Sequence, residues 1–315
     1  MSNKLTIKDI ARLANVSKST VSRVLNNESS VSSQVRERVE AIIHQNNFIP
    51  SKSARAMRVK SDKIIALIVS RLGSFSENLS ISTMLPLFYQ HGYDPIIMES
   101  NFNPQLLQEH LRQLALRNAD GVILFGFTGL SEEFLFPWRE KIVVFAREYA
   151  DVSSICYDDA GAVRLLMNEL YQRGHRDISF LGVRDCDTTT GFRRHQSYLN
   201  CCEQKGLRPL SVQCDLSYQS GFQHVDKVLR KETTALICAT DSLALGAYKY
   251  LQQNNREDIQ IGSIGSTPLL NFLYPNTLSV DLGYSEAGKY AAHQLMAQIN
   301  RQYPKQQVTV PSKLA

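Results

Sequence analysis

The sequence predicts a small all-α head followed by an α/β core built as two doubly wound parallel-sheet lobes. Three observations carry this. Residues 6–27, TIKDIARLANVSKSTVSRVLNN, read as two short helices with a tight turn between them. From Lys63 onward, continuous apolar runs alternate with helical stretches, which is the pattern of βαβ units. The charge divides at the same place. Residues 1–60 hold eleven Lys/Arg against four Asp/Glu, a balance of +7, and the remaining 255 hold 24 against 26, a balance of −2. A basic head on a near-neutral body is the footprint of a nucleic-acid binder with a separate sensing unit.

In the head, Thr6 is a favourable N-cap and Asp9 can complete a capping box. Ile7, Ile10, Ala11 and Ala14 recur at helical spacing, and Asn15 tolerates the left-handed backbone of a sharp turn. Ser17 caps a second helix in which Val21, Val24 and Leu25 point inward. Lys18, Ser19, Ser22 and Arg23 form its short, polar, cationic outer face. Such a face suits a major groove, where Ser and Lys contact base edges and Arg reads guanine. An ordinary helical hairpin with a solvated face would show the same periodicity. Ser32 or Ser33 caps a third helix running to about Gln45. Its Val35, Val39, Ile42 and Ile43 close a core over Ile10 and Val24. A unit this small gains from dimerisation or from DNA. Pro50 ends it, and residues 51–58, SKSARAMR, make too short a helix to persist alone.

The strands expected in the core are Ile64–Val69, 95–98, Gly121–Phe125, Ile142–Phe145, 178–181, Ala235–Cys238 and 261–264. Helices are expected at 106–117, 160–173, 193–205 and 243–253, with the chain crossing between lobes near 281–284 and again near the C-terminus. In such sheets ligands sit beyond the carboxyl ends of strands. The loops there hold Arg71, Leu72, Gly73, Ser74, Phe75, Ser76 and Glu77; Gly126, Phe127, Thr128 and Gly129; Ala146 and Arg147. In the second half they hold Asp187, Thr188, Thr189, Thr190 and Arg194; Thr240, Asp241 and Ser242; and Tyr284.

That inventory fits a phosphorylated sugar. Arginine holds phosphate through a planar charged fork. Helix N-termini near Glu77 and Thr190 add backbone donors. Asp and Thr pair with sugar hydroxyls, and Phe75, Phe127 or Tyr284 can stack on a pyranose face. Arg147 or Arg194 could instead be a structural ion pair across the cleft.

The length of 315 residues implies two or three units. No apolar run approaches the roughly 18 residues of a membrane span, and residues 1–4 lead straight into the first helix, so no signal peptide is expected. The six cysteines form no CxxC pair and lie in or beside apolar segments, as reduced cytosolic thiols do. The seven histidines lack metal-ligand spacing, so no metal is expected. An enzyme is disfavoured, since no P-loop, GxSxG or HExxH occurs.

The stretch TIKDIA…VSKSTVSRVLN resembles, almost residue for residue, the N-terminal helix-turn-helix of LacI-family transcription regulators. Asp158…Gly161…Leu170…Gly174-His175-Arg176, Thr190-Gly191-Phe192-Arg193-Arg194 and Ala239-Thr240-Asp241-Ser242-Leu243-Ala244-Leu245-Gly246 extend the resemblance along the whole chain. The family's fold, a DNA-binding head on a core like the periplasmic sugar-binding proteins, is implied. So are three segments: a head at 1–48, a hinge helix and linker at 49–61, and an effector-binding and dimerisation core at 62–315. The lobes fall near 62–156 and 157–280, with C-terminal crossovers.

The implied DNA-contacting residues are Thr6, Lys18, Ser19, Thr20, Ser22, Arg23 and Asn26 in the head, with Ser53, Ala54 and Met57 in the hinge. Lys8, Arg12, Arg36, Lys52 and Arg55 are the candidates for phosphate contacts. Met57 stands where the family usually wedges Leu between base pairs, and Ser51 where many relatives carry Asn. The resemblance also implies a cytoplasmic homodimer on operator DNA, since no leucine heptad follows residues 308–310. The segments RAMR, SENL, GVILFGFTG and TTALICATDSLALGA are similar to the branch of the family that governs trehalose use, which implies trehalose 6-phosphate as effector. An unphosphorylated sugar, a purine or a protein co-repressor would keep the regulator and change the signal.

Overall fold

The computed structural model describes residues 5–25, 28–46, 48, 63–302 and 304–315. The chain divides into two compact units, Met1–Lys63 and Ile64–Ala315.

The head holds α1 (Ile7–Leu13), α2 (Lys18–Leu25) and α3 (Ser33–Gln45). The capping box at α1 is reciprocal: Thr6 N–H donates to Asp9 Oδ2 at 2.9 Å and Asp9 N–H to Thr6 Oγ1 at 3.4 Å. The Thr6 bonds hold the Asp9 carboxyl below its usual range. Asn15 takes a φ of 51° at the turn, and the Thr20 N–H donates to Ser17 Oγ at 3.1 Å. Ser32 precedes α3 but makes no side-chain cap bond, so α3 begins without that support. Ile10, Ala11, Ala14, Val21, Val24, Val39 and Phe48 form the core, while Leu25, Val35, Ile42 and Ile43 are only partly buried against it.

The larger unit contains two six-stranded sheets among the described residues. The first has the order β11-β5-β4-β3-β1-β2, made of β1 (Ile64–Val69), β2 (Asp94–Glu99), β3 (Gly121–Phe125), β4 (Ile142–Phe145), β5 (Ser153–Tyr157) and β11 (Gln307–Val310). The second has the order β12-β10-β9-β8-β6-β7, made of β6 (Ile178–Val183), β7 (Ser211–Cys214), β8 (Ala235–Cys238), β9 (Gln260–Ile264), β10 (Leu278–Asp281) and β12 (Lys313–Leu314). The pairings are parallel except that of β10 with β12. Central strands such as β1 and β8 are buried on both faces, which is why they read as unbroken apolar runs. Burying each such Leu or Ile contributes about 1.5–3 kcal/mol.

The helices are α4 (Phe75–Gln90), α5 (Pro104–Leu116), α6 (Asp159–Gln172), α7 (Arg194–Lys205), α8 (Tyr218–His224), α9 (Asp241–Gln253), α10 (Pro268–Leu273) and α11 (Tyr284–Ile299). The chain crosses between lobes three times: from β5 into α6, from β10 into α11, and from β11 into β12. Helix α11 returns to the first lobe and packs against α4. Gly288 permits this approach, because a Cβ there would stand 2.2 Å from Thr83 Oγ1 and 2.4 Å from the Ser80 carbonyl oxygen. Five cysteines are buried, but Cys186 is exposed on the loop after β6, contrary to the expectation that all six pack with apolar segments.

Candidate functional site

The polar face of α2 is the first candidate surface. Lys18, Ser19 and Arg23 are exposed and Ser22 is half-buried. No acid occupies the first turn of α2, so its positive dipole end is open to a phosphate. The face is less purely cationic than the sequence suggested, because Glu28 from the following loop approaches Arg23 Nε at 3.9 Å. An exposed pair this loose is easily exchanged for another partner. Ser17 Oγ lies 2.7 Å from Ser19 Oγ and 2.8 Å from Thr20 Oγ1, which aligns the hydroxyls along the turn. Thr6 commits its hydroxyl to Asp9 Oδ2 at 2.6 Å. Arg12 stands 3.8 Å from Asp9, and Arg36 donates to the Glu28 carbonyl. Asn26, Lys52, Ser53, Ala54, Arg55 and Met57 lie outside the described residues.

The second candidate is the cavity between the two lobes of the larger unit, at the carboxyl ends of the strands. Ser74 caps α4 by accepting the Glu77 N–H at 3.4 Å, which brings Ser74, Phe75, Ser76 and Glu77 to the wall. Glu77 accepts the Ser70 N–H at 2.8 Å and the Ser70 hydroxyl. Burial raises its pKa to about 7, against the opposing pull of the Ser70 bonds and of Arg71. Arg71 also lines the cavity and donates from Nη1 to the Leu216 carbonyl, in the other lobe, at 2.9 Å. Ala146 lines the wall with a φ of 61°, a backbone strained for a residue with a side chain.

From the second lobe, Asp187 accepts the Thr189 and Thr190 N–H groups on Oδ1, each at 3.0 Å. It thereby caps a π-helical turn, Thr188–Arg193, that runs into α7. Gly191 keeps this turn against the strand end, since a Cβ there would meet the Arg184 carbonyl oxygen at 2.1 Å. The Thr190 hydroxyl is buried with no hydrogen-bond partner, although Thr190 lines the cavity. Arg194 is buried and paired with Asp159. Asp241 opens α9 and accepts from Ser263 Oγ at 2.5 Å and from Thr267 N–H at 2.6 Å. Ser242 lines the cavity beside it. Tyr284 stands edge-on to Tyr157, with ring centroids 5.2 Å apart, and both phenols are pushed up by burial.

Of the residues expected at the site, Arg71, Ser74, Phe75, Ser76, Glu77, Gly126, Asp187, Thr189, Thr190, Arg194, Ser242 and Tyr284 meet in this cavity. Seven others lie outside its walls. Leu72 is exposed and its N–H donates to Glu99 Oε1 at 2.6 Å; Gly73 and Gly129 face open space. Phe127 is buried edge-on against Phe102, so Phe102 and not Phe127 presents a ring to the cavity. Arg147 runs beneath Gly126 and hydrogen-bonds Tyr149. Thr128 and Thr188 bond to each other. Sequence reasoning passed over Tyr157, Asp159, Leu216 and Phe102. The first three follow or flank strands too short or too polar to stand out, and the fourth follows β2, an edge strand.

The cavity therefore joins a guanidinium, ring faces, carboxylates, an unpartnered hydroxyl and the N-terminal ends of α4, α9 and α11. That combination suits a polyhydroxylated small molecule. Among the described residues, no group of three or more His, Cys, Asp or Glu could hold a metal ion, and no helix is long and apolar enough to cross a membrane.

Residues 6–51 match the family model described as bacterial regulatory proteins, lacI family, and residues 167–315 match a periplasmic binding protein-like domain. The chain is 56% identical over 315 residues to the HTH-type transcriptional regulator TreR of Salmonella typhimurium, covering 100% of both chains. It is likewise 56% identical over 315 residues, 100% of both, to TreR of Escherichia coli. The solved structure of the trehalose repressor from Escherichia coli matches with a TM-score of 0.80 at 52% identity, over 81% of this chain and 100% of that one.

Proposed function

Because the chain belongs to the LacI family of bacterial regulatory proteins, and is a DNA-binding transcriptional repressor rather than an enzyme, we propose that it governs a trehalose-utilisation operon and that trehalose 6-phosphate releases it from its operator. The reading follows the likeness to the trehalose repressor of Escherichia coli. The observation that carries it is the cavity itself, whose wall brings Arg71 and the ring of Phe75 from one lobe together with Asp187, Thr190 and Ser242 from the other.

The mechanism follows from general constraints. Two copies place two α2 helices on half-sites about one helical turn apart, so the working form is a homodimer on a pseudo-palindrome. The effector bridges groups from both lobes and so favours one lobe arrangement. It releases DNA only to the extent that it prefers the arrangement with the lower operator affinity.

A second reading keeps the repressor and changes the ligand to unphosphorylated trehalose. The carboxylates of Asp187 and Asp241 in the cavity favour it, because they suit hydroxyls and repel phosphate. The two separate in one experiment. A DNA site enriched from a random library by the full-length chain is titrated with each sugar, and release is followed by fluorescence anisotropy. Release by trehalose 6-phosphate at concentrations where trehalose is inert supports the first reading. The reverse order overturns it in favour of the second.

A further inference from the structure

Among the described residues, the strand-end loops of the two lobes are hydrogen-bonded across the cleft at two places, both away from the three crossovers. The crossovers attach at one edge of each sheet, where β5 and β11 neighbour each other in the first and β10 and β12 in the second. The contacts come from strands that neighbour none of these. Arg71 follows β1 and bonds to Leu216, which follows β7. Thr128 follows β3 and meets Thr188, which follows β6. The Thr188 N–H donates to Thr128 Oγ1 at 3.0 Å, and the Thr128 hydroxyl donates to Thr188 Oγ1 at 3.3 Å. Neither threonine lines the cavity.

We propose that Thr128 and Thr188 form an interlobe clasp that holds the cleft closed around its ligand without touching it. The N-terminus of the π-helical turn supplies the physical reason. Its first N–H groups have no acceptor within the turn. Asp187 Oδ1 takes those of Thr189 and Thr190. That of Thr188 is taken by Thr128, from the other lobe. One cap is thus shared between lobes, and opening the cleft leaves the Thr188 donor without its protein acceptor. The turn also carries Thr189 and Thr190 to the cavity wall, so the clasp fixes both the lobe angle and the position of this turn.

The lever arm matters as well. Rotation about the crossovers displaces distant groups most, so a short-range bond far from that axis senses opening first. A ligand that uses Arg71 and Phe75 from one lobe with Asp187 and Thr190 from the other engages them all only in the closed cleft. Its apparent affinity scales with the closed fraction. The clasp rests on the effector reading only for the identity of the ligand.

The test uses the full-length chain with Thr128→Val, Thr128→Ser and Thr188→Val. Valine keeps the shape at position 128 and removes the acceptor; serine keeps the hydroxyl. Hydrogen exchange of the peptide spanning 188–193 is measured without ligand. Calorimetric affinities are measured for trehalose 6-phosphate, trehalose and glucose 6-phosphate. Thr128→Val should speed exchange about fivefold, the loss of one ordinary hydrogen bond, and weaken every binding sugar by one common factor. Thr128→Ser should restore both. Thr188→Val, which keeps the N–H donor, should lose less than Thr128→Val. Unchanged exchange in Thr128→Val overturns the clasp. So does a loss confined to one sugar, which would make Thr128 a direct ligand contact. If the wild-type chain binds none of the three sugars, the sugar reading fails while the exchange result still decides the clasp.

Discussion

Arg194 Nε and Nη2 both reach Asp159 Oδ1, at 2.7 and 2.6 Å, and both side chains are only 3% exposed. A third donor of the same guanidinium, on Nη1, bonds the Ala239 carbonyl. One cation thereby ties the start of α6 to the end of β8 at the cavity wall.

Breaking that pair strands a buried charge. Arg194→Leu should lower the stability of the chain by roughly 3–5 kcal/mol, because Asp159 keeps its desolvation cost without its partner. Replacing both, with Arg194→Leu and Asp159→Leu, should recover much of the loss. Urea midpoints of the two variants check this, and equal midpoints would argue against a buried pair.

Glu77 gives the core a pH dependence. Its folded-state pKa, raised to about 7 from 4.5 by burial, means that the folded chain binds more protons than the unfolded chain between those values. Stability from this group is therefore fully present below about 4.5 and is lost as pH rises through about 7. Glu77→Gln should flatten the slope of urea midpoint against pH between 5 and 8. A slope unchanged in Glu77→Gln would assign it to other groups.

Arg71 separates binding of DNA from response to effector. Arg71→Gln should leave operator affinity intact and weaken phosphorylated-sugar binding roughly 10–100-fold, the range for a lost charge-assisted bond. Loss of response to unphosphorylated trehalose by the same factor would show that Arg71 acts through its Leu216 contact instead.

In the head, the two kinds of DNA contact proposed for α1 and α2 differ in their signatures. Arg23→Ala should cost about 1–3 kcal/mol on the preferred site and relax preference at one base position. Lys8→Ala should weaken all sites alike and reduce the salt slope by about one. Binding curves on matched and mutated sites at two salt concentrations distinguish them.

Much of this architecture is legible in the sequence where burial is complete. β1, β3, β4 and β8 lie between both layers of their lobes, so their apolar runs mark them to the residue. β5 carries Ser153 and Ser154, β7 is four residues long at a sheet edge, and α8 and α10 are short; none has a strong pattern. Loops were readable only after strands that were themselves recognised, which is why Arg71, Gly126 and Asp187 were found and Tyr157 and Leu216 were not. The Thr128–Thr188 bond joins residues 60 positions apart in different lobes, and no local pattern encodes it. The exposed Cys186 follows directly from its place on a loop between Asp185 and Asp187, where nothing apolar covers it.

The most direct test of the effector assignment is calorimetric titration of the full-length chain with trehalose 6-phosphate, trehalose and glucose 6-phosphate. Tight binding of trehalose 6-phosphate with weak binding of the other two is the predicted result. Binding of trehalose as tightly as its phosphate would contradict the account, because the Arg71 side of the cavity would then contribute nothing to recognition.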